Sequence, residues 1–201
     1  MNFKMWKTYC AAATLTLSVI FAGGGSGVKM PLPVVVYSDG KYSDDSKGFV
    51  PSGFMGHSSL NPDFACAENP KSGATCIKIN FPTVSGEWAA LSWQHPANNW
   101  GEKDGGLDLT GAKKLSFWAR GAKGGEVVSF NIGGDSAEAA KLPFPNSAKA
   151  DLGKVTLEKD WKEYSIPLAG LNLSRIVYGF TFIVIAGAEP AYFYLDEIRY
   201  E

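Results

Sequence analysis

Residues 114–121 read Lys-Leu-Ser-Phe-Trp-Ala-Arg-Gly, and this stretch has a clear period of two. Leu115, Phe117 and Ala119 alternate with polar or bulky residues. Successive side chains of a β-strand point to opposite faces, so an apolar residue at every second position predicts a strand with one face in a core. The residues between them, including Trp118 and Arg120, share the opposite face.

Similar runs recur on both sides of this strand, separated by turn-forming residues. Further strands are predicted over 34–37, 75–81, 87–94, 126–132, 154–158, 163–168, 177–185 and 191–200, with a long polar, glycine-rich stretch over 38–61. With 23 Gly, 11 Pro and only 19% charged residues, the composition is typical of a turn-rich all-β domain. Short strands at this spacing predict a single all-β domain over residues 28–201, either a β-sandwich or a β-barrel.

The last predicted strand contains an irregularity. Phe193 and Leu195 stand at odd-numbered positions, whereas Ile198 and Tyr200 stand at even-numbered ones, so a regular strand would point the two pairs to opposite faces. All four are nevertheless residues typical of a core. A β-bulge absorbs one residue of such a slip and re-aims the side chains around it. We therefore predict a bulge at Asp196-Glu197.

The first 27 residues have the pattern of a secretory signal peptide followed by a short linker of small residues. Lys4 and Lys7 precede an uncharged run over 8–22, and glycine and serine fill positions 23–27. The run is too short for a membrane-spanning helix, which needs about 20 apolar residues. A secreted, periplasmic or cell-surface protein is expected.

The stretch Phe21-Ala22-Gly23-Gly24 also resembles a bacterial lipoprotein signal. In that kind of signal a lipidated Cys follows Ala-Gly, but Gly24 stands in its place, so lipid cannot be attached. Contact with a membrane is therefore expected only through export or a lost lipid anchor. The chain has 19 Lys+Arg against 20 Asp+Glu, a balance that argues against nucleic-acid binding. We expect a monomer.

Removal of the signal would take Cys10 away and leave Cys66 and Cys76. An even pair of cysteines in an oxidising compartment predicts a disulfide, and the turn-forming residues between them let the chain fold back. The alternative is two buried free thiols.

Four motifs occur in an order typical of one group of proteins. They are Leu115–Gly121, Asn69–Gly73 before Cys76–Ile79, Trp161–Tyr164 before Ile166–Leu168, and Phe193–Ile198. Together they resemble the galactose-binding-like β-jelly-roll carbohydrate-binding modules, most closely family 11, over roughly residues 34–201. The resemblance implies a two-sheet jelly roll, glycan binding on the concave face of one sheet, and no catalysis.

The same resemblance implies a structural calcium ion held by acidic residues of the first and last strands. By position these residues are Asp39 and Asp196. Glu197 stands where the family ending usually has a second aspartate.

Polar and aromatic residues concentrate over 87–101, which holds three of the six tryptophans. Sugar rings stack on aromatic side chains, and sugar hydroxyls pair with amide, imidazole and guanidinium groups, so we expect an oligo- or polysaccharide partner. Trp100 and Trp118 are the predicted stacking platforms. The full set of candidate ligand-binding residues is Trp88, Gln94, His95, Asn98, Asn99, Trp100, Trp118 and Arg120.

Structural roles are the alternative for these residues. Trp93 would then belong to the core and Trp100 would fill a loop, while Trp118 and Arg120 would form a surface cation–π pair.

No sequence motif for catalysis is present: neither Gly-x-Ser-x-Gly, nor His-Glu-x-x-His, nor spaced zinc cysteines. The leading hypothesis is a non-catalytic, secreted or cell-surface glycan-binding module. A small jelly-roll glycoside hydrolase or lyase stays open, because two carboxylates facing each other across a cleft cannot be recognised from sequence. A structural or partner-binding surface β-sandwich is the third possibility, since the fold alone does not define function.

Overall fold

The structure, a computed structural model, describes residues 25–42, 47–83, 86–134 and 141–201. The described residues form strands joined by turns, and none of their helical turns is long and apolar enough to cross a membrane. Most of the predicted signal peptide lies outside the described residues. Gly25–Gly27, which the sequence places in the linker, are described, and Gly25 and Gly27 form hydrogen bonds with the domain.

Fourteen strands are found among the described residues. In chain order they are β1 (Val28–Lys29), β2 (Val34–Ser38), β3 (Lys41–Tyr42), β4 (Val50–Gly56), β5 (Asn61–Cys66), β6 (Cys76–Phe81), β7 (Trp88–Gln94), β8 (Leu107–Asp108), β9 (Lys114–Gly121), β10 (Val127–Ile132), β11 (Ala150–Thr156), β12 (Lys162–Pro167), β13 (Tyr178–Ile185) and β14 (Ala191–Tyr200).

Two antiparallel sheets pack face to face, so the predicted all-β jelly-roll sandwich is confirmed. One sheet has the strand order β11-β10-β13-β7-β4. In the other sheet, the strands β12, β9 and β14 lie side by side in that order. On its other edge, β14 pairs with β6 along its first half and with β2 along its second half. Strand β5 pairs with the outer edge of β6, and β3 with that of β2. Strands β1 and β8 form a small parallel sheet of their own.

Aromatic rings from both sheets fill the core. Phe117 on β9 lies 4.6 Å from Phe130 and 5.2 Å from Phe180 of the opposite sheet, measured between ring centroids. Phe182 and Phe193 meet edge to face at 5.2 Å. Such tilted arrangements are favoured by the ring quadrupoles. Trp93, also fully buried, belongs to this core rather than to the surface.

The bulge predicted in the last strand is confirmed. The pairing of β14 with β9 shifts between Asp196 and Arg199, and Glu197 has a φ of 49°. The slip lets residues of both parities face the core, and Phe193, Leu195, Ile198 and Tyr200 are all fully buried. By contrast, the polar, glycine-rich stretch over 38–61, where no strand was predicted, contains β3, β4 and the first residue of β5.

Candidate functional site

The outer surface of the five-stranded sheet contains most of the candidate residues. Along β7, Ala89, Leu91 and Trp93 point into the core, so the alternate residues point outward. The same alternation holds on the neighbouring strands. We name this surface the five-strand face; its members are Trp88, Ala90, Ser92 and Gln94 on β7, Thr181, Ile183 and Ile185 on β13, Val127, Ser129 and Asn131 on β10, and Asp151 and Lys154 on β11.

One end of the five-strand face is apolar and exposed. Trp88 pairs with Ile185 across β7 and β13, and Val127 lies next to them on β10. Their exposed fractions are 46%, 46% and 40%. The ring of Trp88 lies over Gly56 of the edge strand β4, where a Cβ would come within 3.0 Å of the indole. The three side chains form one continuous apolar row across three strands.

The middle of the five-strand face is polar and built from small side chains. Ser92 pairs with Thr181, which in turn pairs with Asn131. The Thr181 hydroxyl donates to the Ser92 hydroxyl at 2.8 Å. Both residues are at most 5% exposed, so this row is a low floor next to the apolar row.

Gln94 lies at the other end of β7, about 20 Å from Trp88 at the usual rise of a strand. Its side chain lies over Gly53, where a Cβ atom would come within 2.9 Å of the Gln94 amide group. The Oε1 of Gln94 accepts a 2.9 Å hydrogen bond from the Ser52 hydroxyl. Ser52 in turn accepts the backbone N–H of Asn98 at 2.9 Å. The Nε2 of Gln94 is buried with no hydrogen-bond partner among the described residues. An unsatisfied buried donor is costly and calls for a specific explanation.

Trp100 closes this end of the face together with Tyr178, which the sequence did not single out. Their ring centroids are 5.7 Å apart, and the Tyr178 hydroxyl donates to the backbone carbonyl of Trp100. Burial raises the pKa of Tyr178 to about 12, so the hydroxyl keeps its proton at neutral pH. Trp100 is half-buried and is held against the end of β13.

Two further candidates near Trp100 have other roles in the structure. Asn99 is fully buried, and its Oδ1 accepts bonds from Gly101 and Lys103 while its Nδ2 donates to the carbonyls of His95 and Lys103. It therefore organises the loop after β7. His95 is 7% exposed and lines a separate cavity of about 430 Å³ beside Asp104.

Trp118 and Arg120 lie on the opposite side of the sandwich, on the outer surface of the seven-stranded sheet. The Nζ of Lys71 lies 3.7 Å from the ring centroid of Trp118. The Arg120 guanidinium lies 3.6 Å from the ring of Tyr194, and its Nη2 donates to the carbonyl of Glu68 at 2.8 Å. Both side chains thus hold the loop over 67–75, and the structure does not bring them together with Trp88 or Trp100.

Asp39 and Asp196 hold the same loop. The Oδ1 of Asp39 accepts the N–H groups of Ala74 at 2.7 Å and Thr75 at 3.0 Å, and these bonds lower the pKa of Asp39. The Oδ2 of Asp196 accepts two further loop N–H groups at 2.9 and 3.2 Å. Burial raises the pKa of Asp196, and repulsion from Asp39 adds to the rise.

These two carboxylates fit a calcium ion only in part. In the part of the chain that the structure describes, no three His, Cys, Asp or Glu residues are placed to share a metal ion. The bonded carboxylate oxygens already face N–H groups, which carry partial positive charge. The repulsion between Asp39 and Asp196 is the feature that a cation would relieve.

Cys66 and Cys76 lie directly opposite each other on β5 and β6 at the base of the same loop. Both are buried free thiols in the structure, so the predicted disulfide is not formed in it. The Cys76 thiol donates to the carbonyl of Cys66 at 3.5 Å. Burial raises the pKa of Cys76 to about 12, which leaves it almost entirely protonated and unreactive at neutral pH.

Solved carbohydrate-binding modules share the fold. A crystal structure of a family 30 module has a TM-score of 0.55 and 18% identity, over 85% of this chain and 99% of that one. The family 30 module of the cellulosomal cellulase Cel9D-Cel44B of Clostridium thermocellum has a TM-score of 0.51 and 18% identity, over 85% and 98%. The family 11 module of cellulase Lic26A-Cel5E of the same organism reaches 0.50 and 15%, over 80% and 92%.

The sequence comparison defines the family more finely than these structural likenesses do. No curated protein matches the chain. The family model of carbohydrate binding domain 30 matches residues 34–201, which is nearly the whole domain. The expected resemblance to family 11 is therefore a similarity of fold. The protein is a non-catalytic glycan-binding module, and the chain belongs to the carbohydrate-binding domain 30 family.

Proposed function

We propose that this module binds its glycan on the five-strand face, between the apolar row at Trp88 and the aromatic pair Trp100–Tyr178. The single observation that carries the proposal is the arrangement of aromatic side chains at both ends of a low, polar floor, with Trp88 exposed at one end and Trp100 half-buried at the other. Ligand sites typically combine apolar walls with a few well-placed polar groups. The floor residues supply hydroxyl and amide groups that both donate and accept.

The charge of the face supports a neutral glycan. Its central residues, from Ala90 and Ser92 to Thr181, Ile183 and Asn131, carry no formal charge. Lys154 and Asp151 lie at the margin, on the edge strand β11. The described residues at the centre of this face therefore offer no cationic side chains to pair with a polyanionic glycan.

The same face argues against a hydrolase. A glycosidase needs two carboxylates on either side of the scissile bond. Among the strand residues described on the five-strand face, Asp151 is the one carboxylate, and in the loop after β7 the Glu102 carboxylate accepts the backbone N–H of Trp100 at 3.2 Å.

A glycan array on the exported domain, with reducing-sugar release measured in parallel, tests this function. We expect binding to neutral oligo- or polysaccharides and no release of reducing ends. Binding only to acidic glycans, or turnover of any bound glycan, would contradict the proposal.

We also propose weak calcium binding at Asp39 and Asp196, as the family resemblance implies. The ion would share both carboxylates with the loop over 67–75, so its affinity should lie near that of other weak extracellular sites, roughly 10⁻⁴–10⁻³ M. An ion that binds only the folded state raises the melting temperature. The melting temperature should therefore be higher in millimolar calcium than in chelator at matched ionic strength. An unchanged melting temperature would refute the site.

Export to the periplasm, cell surface or medium is a further proposal, and it depends on the charge pattern of residues 1–27. The expected monomeric state also stays a prediction, which size-exclusion chromatography with light scattering checks.

A further inference from the structure

Residues 25–29, a short distance after the apolar run of the signal, contact the folded domain. The N–H of Gly27 donates to the carbonyl of Ser174 at 2.8 Å, and the N–H of Val28 donates to that of Gly106 at 3.0 Å. Val28 and Lys29 form β1, which pairs in parallel with β8. A Cβ at position 27 would lie 2.6 Å from the carbonyl oxygen of Gly106, so this close pairing requires glycine there.

Arg175 extends these contacts to Gly25. The residue is 4% exposed, and its Nη1 donates to Asp104 and to the carbonyl of Gly105, both at 3.1 Å. The Nη2 of Arg175 donates to the carbonyl of Gly25. The Nε is already buried with no hydrogen-bond partner among the described residues. Loss of Gly25 would remove a further partner from a buried guanidinium, which is unfavourable.

Signal cleavage needs small residues at the first and third positions before the cut. The stretch over 22–28 reads Ala-Gly-Gly-Gly-Ser-Gly-Val, so this rule permits a cut after residue 24, 25, 26 or 27. A cut after Ala22 or Gly23 would place Ile20 or Phe21 at the third position, and both are large. The sequence rule alone therefore leaves four bonds.

We infer that the signal is cut at the bond between Gly24 and Gly25. This is the only one of the four bonds whose hydrolysis leaves Gly25, the partner of Arg175, on the mature domain. A signal peptidase would add water across this amide, leaving a carboxylate on Gly24 and an ammonium group on Gly25. The enzyme cuts the unfolded chain and does not read the fold, but the contact to Arg175 forms only in a product that retains Gly25. The inference rests on the proposed export.

The direct test is the intact mass and N-terminal sequence of the exported product made from the full-length chain. We expect a start at Gly25. A start at Ser26 or later, or at Gly23 or Gly24, would overturn the assigned bond while leaving export intact. A product that still begins with Met1 would overturn the assigned bond and export together, which separates the two failures.

A pair of substitutions sharpens the test. Gly24→Leu puts a large residue directly before the bond and should abolish the Gly25 start. Gly23→Leu is the matched control, because the position between the two small residues is free to vary. Unchanged cleavage of Gly24→Leu would count against the inference.

A third arm examines the fold. Deletion of Gly25 alone from the full-length chain keeps Ala22 and Gly24 before the cut and Gly27 bonded to Ser174, but removes the contact to Arg175. The exported product should melt at least about 2 °C lower than the wild-type product. Equal melting temperatures would show that Gly25 is dispensable and would remove the structural basis of the inference.

Discussion

Tyr178 lies against Trp100 with ring centroids 5.7 Å apart and donates its hydroxyl to the Trp100 backbone. The contact joins the end of β13 to the loop that follows β7. Because the tyrosine is buried and stays protonated, this bond holds at all physiological pH values. Trp100 is therefore positioned before any ligand arrives, which lowers the ordering cost of binding.

Substitution Tyr178→Phe tests this positioning. The ring contact remains and the hydroxyl bond is lost, so we expect glycan affinity to fall several-fold and stability to fall by about 1 kcal/mol. Titration calorimetry and thermal melts measure the two effects.

Tyr164→Phe is the matched control for that substitution. The hydroxyl of Tyr164 is buried with no partner among the described residues, so its removal should leave stability unchanged or improve it, and glycan binding should not change. Equal behaviour of the two variants would show that the Tyr178 bond has no special role.

The cysteine pair predicts a redox effect on stability. Cys66 and Cys76 are direct cross-strand neighbours, so a disulfide would close a short loop and stabilise the domain by roughly 2–3 kcal/mol. Protein isolated from an oxidising compartment should contain no free thiols when unfolded without reductant, and reduction should lower its melting temperature. Two labelled thiols in the exported protein would contradict the predicted disulfide.

Asp39 predicts a pH dependence. Hydrogen bonds from Ala74 and Thr75 lower its pKa in the folded state, so its stabilising contribution is complete above the ordinary Asp pKa of about 3.9 and is lost as the pH falls below it. Asp39→Asn should therefore lower stability most at neutral pH, and its difference from wild type should shrink in acid. The exposed Asp160→Asn serves as the control and should follow the wild-type curve throughout. A difference for Asp39→Asn that grows in acid would contradict the assignment.

Local patterns predicted the strands and their faces well. Alternation along the predicted strand over 87–94 puts Trp88 and Gln94 on the face opposite Trp93, as the structure has them, and the parity change around Asp196 correctly located the bulge. Both features depend on residues close together in sequence, where the period of two is directly visible.

Long-range pairing was not predictable in the same way. The period of two predicted that Trp118 and Arg120 point outward. It did not predict which sheet they lie on, because that depends on β9 pairing with β12 and β14. Tyr178 was missed because its run is almost wholly apolar. Strand β4 was missed because Pro51 and Gly53, which suit an edge strand, also suit a loop.

The most direct measurement of the central claim compares glycan affinity and melting temperature for three single variants. Trp88→Ala and Trp100→Ala change the two ends of the five-strand face, and Trp118→Ala changes the opposite sheet. Loss of an aromatic anchor typically costs about 2 kcal/mol or more, or roughly 30-fold in affinity. We predict this loss of glycan affinity for Trp88→Ala and Trp100→Ala, measured on folded protein. Trp118→Ala should keep the wild-type affinity even if its melting temperature is lower. Lost binding in folded Trp118→Ala, with affinity retained in the other two, would contradict the account.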